Sequence, residues 1–211
     1  MIKKFWNNCD LHFAHNIIGG YLKDYSTITK KWCGYFIDKI DFKNKIVLDY
    51  GIGGAYLGKF LLDKKEIKYY HGVDISERSL FKANEILKPY DNTNLIITDN
   101  YYSDFDENID IFISQACIQH FPNEKYLIQF LEKINNIKPN TVILQITLNK
   151  FGTTIFNNKD YKYIKDVVRA CYTTEDFLLK YLDNYKISFK NDKIANRGGD
   201  FSQYLFFKFK N

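Results

Sequence analysis

Several residue types and patterns are scarce or missing in this chain of 211 residues. It contains 3 prolines, 1 methionine and 4 cysteines, and the cysteines are scattered with no Cys-x-x-Cys pair, which predicts reduced thiols and no disulfide framework. No apolar run approaches about 18 residues, and no basic segment leads into an apolar one at the start. We therefore expect a cytoplasmic protein without a membrane helix or a secretion signal.

Charge of one sign is not concentrated anywhere either. The chain carries 30 Lys and Arg against 25 Asp and Glu, a net charge of +5, but the lysines are interleaved with Asn, Ile, Asp and Glu along the whole length. Electrostatic steering and nucleic-acid binding both require basic residues gathered on one surface. The pattern is typical of a soluble surface, gives only weak support to an anionic substrate, and does not favour a nucleic-acid partner.

What the chain does contain is a regular alternation of apolar runs and amphipathic segments. The patterns predict a strand from Ile46, then helix 55–63, strand 69–74, helix 77–88, strands 94–98 and 109–114, helix 123–137, strand 141–148, a helix from 173–176 to about 182, and strands 185–190 and 203–210. This order predicts an α/β fold: a doubly wound seven-stranded sheet, mostly parallel, with an antiparallel C-terminal hairpin and helices on both faces. Residues 204–210 alternate as expected for an edge strand with one buried face.

Length and composition predict how this fold is organised. At 45% hydrophobic residues, the chain is long enough for one well-buried domain and short for two, so we expect residues 1–211 to form a single domain. Residues 1–44 are predicted to form an N-terminal helical cap. Cys9, His12 and His15 lie at spacings of three in this region, which allows a zinc site, but no fourth ligand is evident and packed or solvated histidines are the favoured interpretation.

A glycine-rich turn follows the first predicted strand. The apolar run ends at Asp49, and Gly51 and Gly53 precede a helix that starts near Ala55. Glycine tolerates positive φ and has no Cβ, so the backbone can turn sharply and approach a bound molecule closely. The turn predicts a nucleotide-like cofactor at the carboxyl end of the strand. The alternative is an ordinary strand-to-helix turn without a ligand.

Two residues discriminate between cofactor classes at this turn. Dinucleotide-binding turns place a third small residue five positions after the first glycine, where this chain has Tyr56. Asp49 would repel a pyrophosphate but could accept a hydrogen bond from an ammonium group. The turn therefore favours a cationic amino-acid cofactor over NAD.

With these residues in place, the chain resembles the class I S-adenosylmethionine-dependent methyltransferases over about Lys45 to Leu148. Asp74 ends the second predicted strand, 25 residues after Asp49, and Asp99 and Ser114 follow the third and fourth strands in the expected order. The turn departs from the family in that Gly54 follows Gly53 directly and Ala55 takes the place of a third glycine. The resemblance implies S-adenosylmethionine as cofactor, bound by Asp49, Gly51, Gly53, Asp74, Ile75, Asp99, Asn100, Ser114 and Gln115.

The resemblance also places His120 after the fourth strand, on the side of the methyl acceptor. A neutral imidazole with a pKa near 6.5 can take a proton from an acceptor hydroxyl, so His120 is the predicted catalytic base. The alternative is that His120 packs against or caps the following helix. His71 lies inside the second strand and is expected to be structural.

Substrate-binding residues are predicted in two segments. In the family, helices that precede the sheet help to shape the acceptor pocket, which suggests Tyr21, with Tyr25 and Trp32 as further candidates. Residues 149–172 leave the carboxyl end of the fifth strand and are rich in aromatics, so we interpret them as an acceptor-side insertion. Tyr161 and Arg169 are the main candidates there, followed by Phe151 and Tyr163, and a surface salt bridge is an equal alternative for Arg169. Tyr101 and Tyr102 could cover the adenine.

The resulting expectation is transfer of a methyl group to an O or N atom of a small acceptor, anionic or containing a sugar. A nucleic-acid methyltransferase is the first alternative, but Ser114-Gln115-Ala116-Cys117 stands where amino-methylating DNA enzymes carry an acidic or Asn-Pro-Pro-aromatic motif. A cofactor-binding subunit without activity of its own is the second alternative. The sequence gives no prediction of oligomeric state and no metal requirement.

Overall fold

The computed structural model describes residues 3, 6–7, 37–98, 108–148, 154–156, 171–192, 194–195 and 201–210. The chain divides into two compact units, Met1–Asn100 and Tyr101–Asn211. The single domain expected from the sequence stays a prediction.

The first unit is a parallel β-sheet with two helices. Its elements are strand β1 (Ile46–Tyr50), helix α1 (Tyr56–Lys64), strand β2 (Tyr69–Asp74), helix α2 (Glu77–Leu87) and strand β3 (Thr93–Ile97). β2 lies between β1 and β3, and both pairings are parallel. Parallel strands covered on both faces read as continuous apolar runs, and every residue of β1 is buried. β1 therefore brings the glycine turn to the carboxyl edge of this sheet.

Helix α2 starts at a well-capped end directly after β2. Ser76 is the N-cap residue, and its hydroxyl accepts a hydrogen bond from the Ser79 backbone N–H at 3.2 Å. The start of the helix also meets the N-terminal segment, because the Asn7 side chain accepts from the Glu77 N–H at 2.9 Å and Lys3 pairs with Glu77. These contacts fix the chain immediately after Asp74.

The second unit combines a mixed sheet with two helices. Its elements are strand β4 (Ile111–Ser114), a 3₁₀ turn (Ile118–His120), helix α3 (Glu124–Ile137), strands β5 (Thr141–Leu148), β6 (Ile155–Phe156) and β7 (Cys171–Tyr172), helix α4 (Glu175–Tyr181), and strands β8 (Tyr185–Lys190), β9 (Ile194–Ala195) and β10 (Phe201–Phe209). β4 pairs with β5 in parallel, and β10 pairs antiparallel with both β5 and β8.

Helix α3 shows why the sequence folds locally as it does. The Asn123 side chain caps its first turn by accepting from the Tyr126 N–H at 2.9 Å, and Lys138 ends it in the left-handed conformation before Pro139. Its buried residues recur at helical spacing. They are Leu127, Phe130, Leu131 and Ile134.

Most predicted elements agree with the structure to within one or two residues, including β4, which begins at Ile111 instead of 109. One expectation about a strand is wrong. β10 is not an edge strand, because it lies between β5 and β8 and both of its faces are buried: Tyr204 and Phe206 on one, Leu205 and Phe207 on the other. Of the residues whose burial is described, 203–210, the exposed ones are Lys208 and Lys210 at the C-terminal end.

Two predicted segments are described only in part. Within the expected cap of residues 1–44, Lys3, Trp6 and Asn7 are helical and residues 37–44 form turns and loop. Within 149–172, β6 and β7 pair antiparallel, with Ile155 opposite Tyr172, so the two ends of this segment lie side by side. No helix in the described ranges is both long and apolar enough to span a membrane.

Candidate functional site

The glycine turn between β1 and α1 uses backbone conformations that few residues adopt. Gly51 and Gly53 have φ of 82° and 52°, and Ala55 has 56°, in the left-handed region. The turn is tied to β2, because the backbone N–H groups of Gly51 and Ile52 both donate to the Val73 carbonyl. A Cβ added at Gly53 would meet no atom of the described structure within 4 Å, so there is open space beside this glycine.

Asp74, at the end of β2, closes onto this turn. One carboxylate oxygen accepts from the Gly53 N–H at 2.9 Å and the other from the Ser76 N–H at 2.8 Å. Burial raises the pKa of Asp74, while backbone hydrogen bonds from Ser76, Gly53 and Ile75 oppose the rise. A carboxylate has about four lone-pair sites, so each oxygen can accept a further hydrogen bond. Asp74 can thus hold two adjacent hydroxyl groups of a ligand beside the turn.

Asp49 is a buried carboxylate on β1, with only 3% of its surface exposed. The Tyr70 hydroxyl donates to it at 2.9 Å. Burial raises the pKa of Asp49 to about 7, the Tyr70 hydrogen bond lowers it, and the charge of Asp74 raises it further. A cationic ligand group would compensate the cost of burying this charge.

The ring of Tyr70 reaches Asp49 because Gly58 of α1 has no side chain. A Cβ on Gly58 would lie 2.6 Å from the Tyr70 hydroxyl oxygen, well inside van der Waals contact. Tyr70 is fully buried and cannot move aside. Tyr70 was not predicted from the sequence as part of the site, although it pairs with Val47, and Val47 lies two residues before Asp49 on the same face of the sheet.

The end of β3 carries another polar atom. Thr98 is 5% exposed, and its hydroxyl oxygen has no hydrogen-bond partner in the described part of the chain. Its backbone N–H donates to the Asp74 carbonyl at 3.0 Å, which ties the end of β3 to the end of β2. The next residues, Asp99 and Asn100, are predicted cofactor contacts that lie outside the described residues, as do Tyr101 and Tyr102.

These first-unit residues fit the cofactor that the sequence predicts. The observations are a half-buried carboxylate with unused lone pairs, a second carboxylate suited to a cation, an unpartnered hydroxyl and open space at a glycine. Together they suit a ligand with two adjacent hydroxyls and an ammonium group. Asp49, Gly51, Gly53, Asp74 and Ile75 lie in this first unit, at the end of β1 and the end of β2.

In the second unit, the segment after β4 is held by neutral side chains from neighbouring strands. Ser114, 1% exposed, ends β4. The Gln115 amide donates to the Tyr204 hydroxyl at 3.0 Å, and the Ala116 N–H donates to the Gln145 side chain at 2.9 Å. Ala116 has a φ of 52°, so the strand ends in a sharp turn. The polar residues of β5 and β10 therefore fix the start of this segment.

His120 ends the 3₁₀ turn of the same segment and is 9% exposed. Its Nε2 atom lies 3.2 Å from the Gln119 amide nitrogen, and the Thr147 hydroxyl donates to the Gln119 carbonyl oxygen at 2.8 Å. Gln119, Gln145 and Thr147 were not identified from the sequence. The available signal was the pair of polar residues, two apart, inside the otherwise apolar run of β5.

The remaining sequence predictions have different outcomes. His71 lies inside β2, buried beside the ring of Tyr69, as its structural role requires. The predicted substrate and zinc residues fall outside the described residues. They are Tyr21, Tyr25, Trp32, Phe151, Tyr161, Tyr163 and Arg169, with Cys9, His12 and His15 for zinc.

No protein-family model matches the chain, and no curated protein matches it either. Solved structures do share its fold. The magnesium protoporphyrin IX methyltransferase of Synechocystis PCC 6803 with bound S-adenosylmethionine gives a TM-score of 0.71 at 16% identity, covering 99% of this chain and 95% of that chain. An S-adenosylmethionine-dependent methyltransferase from Clostridium acetobutylicum ATCC 824 gives 0.67 at 16% identity, covering 95% and 97%. The small RNA methyltransferase HEN1 gives 0.65 at 18% identity, covering 87% and 25%.

The chain therefore has the fold of the class I S-adenosylmethionine-dependent methyltransferases, and the predicted Rossmann-like fold class is confirmed. The names of these neighbours indicate a porphyrin and a small RNA as acceptors, so the shared fold does not define an acceptor.

Proposed function

We propose that this protein is an S-adenosylmethionine-dependent methyltransferase. The observation that carries the proposal is the Asp74 carboxylate, which backbone N–H groups of Gly53 and Ser76 hold beside a turn with positive φ. The lone pairs left on Asp74 suit the two hydroxyls of a ribose. The fold supports the same reading.

The first unit supplies most of the proposed cofactor contacts. Gly51 and Gly53 allow the backbone to approach the cofactor, with Ile75 beside it, and Asp49 accepts the amino group of its methionine part, direct or through water. Asp99 and Asn100 are proposed at the adenine, and Ser114 and Gln115 at the methionine part.

His120 is the proposed catalytic residue. When bound, S-adenosylmethionine supplies a methyl group on a positively charged sulfur, and its transfer leaves the bonding electron pair on that sulfur. The protein gains most by holding donor and acceptor in line, since the reaction needs no covalent intermediate. His120 is suited to orient the acceptor because the buried contact with Gln119 fixes its ring.

We further propose a small acceptor that is anionic or contains a sugar, and a cytoplasmic location. The interleaved charges and the lack of a basic stripe favour a small molecule over a nucleic acid. Tyr21, Tyr161 and Arg169 are the proposed acceptor contacts, because Arg can bind two oxygens of a carboxylate or phosphate at once.

Isothermal titration of the purified protein with S-adenosylmethionine, S-adenosylhomocysteine and NADH tests the cofactor. We expect micromolar binding of the first two and none of NADH. Binding of NADH alone would overturn the proposal. Binding of the first two, followed by no turnover with any acceptor in a screen that includes carboxylates, amines, sugars and RNA, would favour a silent cofactor-binding subunit.

A further inference from the structure

A buried chain of three polar side chains ends at His120. The His120 ring, the Gln119 amide and the Thr147 hydroxyl lie in sequence, with Gln119 in the middle. All three residues are at most 9% exposed. Buried polar groups of this kind have no water to rearrange with, so the direction of each hydrogen bond is fixed by its neighbours.

The orientation of the Gln119 amide gives the direction of each contact. Its carbonyl oxygen accepts from the Thr147 hydroxyl at 2.8 Å, and its nitrogen faces His120 Nε2 at 3.2 Å. An amide nitrogen only donates, so His120 Nε2 must accept and carries no proton. A neutral imidazole has one N–H, and here it is on Nδ1.

Strand β5 keeps this chain of hydrogen bonds in place. Thr147 lies inside β5, paired with β10, and its carbonyl accepts from the Thr173 N–H at 3.1 Å. Two residues earlier on the same face of β5, Gln145 binds the Ala116 N–H at the other end of the segment. The segment that carries His120 is therefore attached to β5 at both ends.

We propose that Gln119, held by Thr147, is a positioning residue that keeps neutral His120 in the Nδ1–H tautomer. The consequence of this tautomer for catalysis rests on the proposed function. Gln119 engages the unprotonated nitrogen of the ring, so His120 in this tautomer does not act as a base on the acceptor, and any hydrogen bond that the ring donates comes from Nδ1. Without a base, the acceptor atom must already be unprotonated when the methyl group is transferred. A carboxylate oxygen is the class of acceptor atom that best meets this condition.

The tautomer can be measured without cofactor, acceptor or activity. The chain has 4 histidines, so long-range ¹H–¹⁵N spectra of ¹⁵N-labelled protein give resolvable ring signals, and the signals that disappear in His120→Asn belong to His120. Near pH 8 we expect an unprotonated Nε2 and a protonated Nδ1. In Gln119→Leu the preference should weaken, and in Gln119→Glu, where the side chain accepts, Nε2 should become protonated.

Three further variants separate positioning from simple packing. Thr147→Val should weaken the tautomer preference, because the amide can then turn over, and Thr147→Ser should restore it. Thr173→Val removes a neighbouring buried hydroxyl that has no partner in the described structure and should leave the ring signals unchanged. A protonated Nε2 in the wild-type protein overturns the proposal, as does an unchanged tautomer in Gln119→Glu. Neither result depends on whether S-adenosylmethionine binds, so the two proposals fail separately.

Discussion

The glycine turn of the first unit and the His120 segment of the second bury polar atoms in opposite ways. The turn has two carboxylates, Asp49 and Asp74, both with raised pKa, and backbone N–H groups as the main donors. The His120 segment has amides, hydroxyls and an imidazole that bind one another. Buried charge is costly until a ligand compensates it, whereas a paired neutral network is stable alone. A ligand that compensates the charge would therefore stabilise the first region, whereas the second region already has its hydrogen-bond partners.

The largest effect we expect is on kcat, and it comes from a substitution in the His120 segment. His120→Ala should lower kcat by about 10²- to 10³-fold, the usual effect of removing a hydrogen-bond donor from a transition state. Affinity for S-adenosylmethionine, measured by titration, should stay at the wild-type value because the proposed cofactor contacts of the first unit are intact. Full activity in this variant would leave His120 with a packing role.

The second effect should appear in binding instead. Asp74→Ala removes charge-assisted hydrogen bonds worth roughly 1.5–3 kcal/mol, which corresponds to about 10- to 150-fold weaker binding of S-adenosylmethionine. At saturating cofactor, kcat should change far less than in His120→Ala. Calorimetric titration and initial rates give the two numbers. Unchanged affinity would contradict the assignment of Asp74 to the ribose.

The smallest effect concerns stability and its dependence on pH. The pKa of Asp49 is about 7 in the folded protein against an ordinary value of 3.8, so folding binds a proton between these values. The contribution of Asp49 to stability is therefore fully present below about pH 4 and falls as pH rises to about 7. At pH 8, Asp49→Asn should unfold with a free energy about 1–3 kcal/mol higher than wild type, and the gain should shrink at pH 5.

Urea unfolding at the two pH values measures this difference. Asp91→Asn is the matched control, since Asp91 is exposed and should show no such gain. Asp49→Asn should also bind S-adenosylmethionine more weakly, so one substitution would raise stability and reduce function. A variant less stable than wild type at pH 8 would show that the Asp49 charge is already compensated without a ligand.

The same contrast explains how much of the protein could be predicted from its sequence. Strand and helix boundaries, and the turn with Asp49 and Asp74, follow from local patterns, because apolar periodicity, glycines and caps act over a few residues. The partners of the His120 segment do not: Gln119 meets Thr147 28 residues away, and Gln115 meets Tyr204 89 residues away. No local pattern encodes such pairings.

The error at β10 has a related cause. The alternation of lysines with aromatics in 204–210 predicted one solvated face. Within this range the charged residues are Lys208 and Lys210, at its C-terminal end, whereas Tyr204 and Phe206 are buried. Pairing with β8 on one side and β5 on the other is a property of the assembled sheet. Periodicity alone does not distinguish an edge strand from a buried one when the outward residues are aromatic.

Gly58 is the third residue of helix α1, and glycine inside a helix is less favourable than alanine by up to about 1 kcal/mol, so a search for stabilising substitutions would select this position. Its empty position is what the Tyr70 ring occupies in order to reach Asp49. Among homologous sequences we expect positions 58 and 70 to covary, with a residue larger than glycine at 58 only where 70 is no longer aromatic. The residue at position 58 of helix α1 is thus constrained by Asp49 through the Tyr70 ring that lies between them.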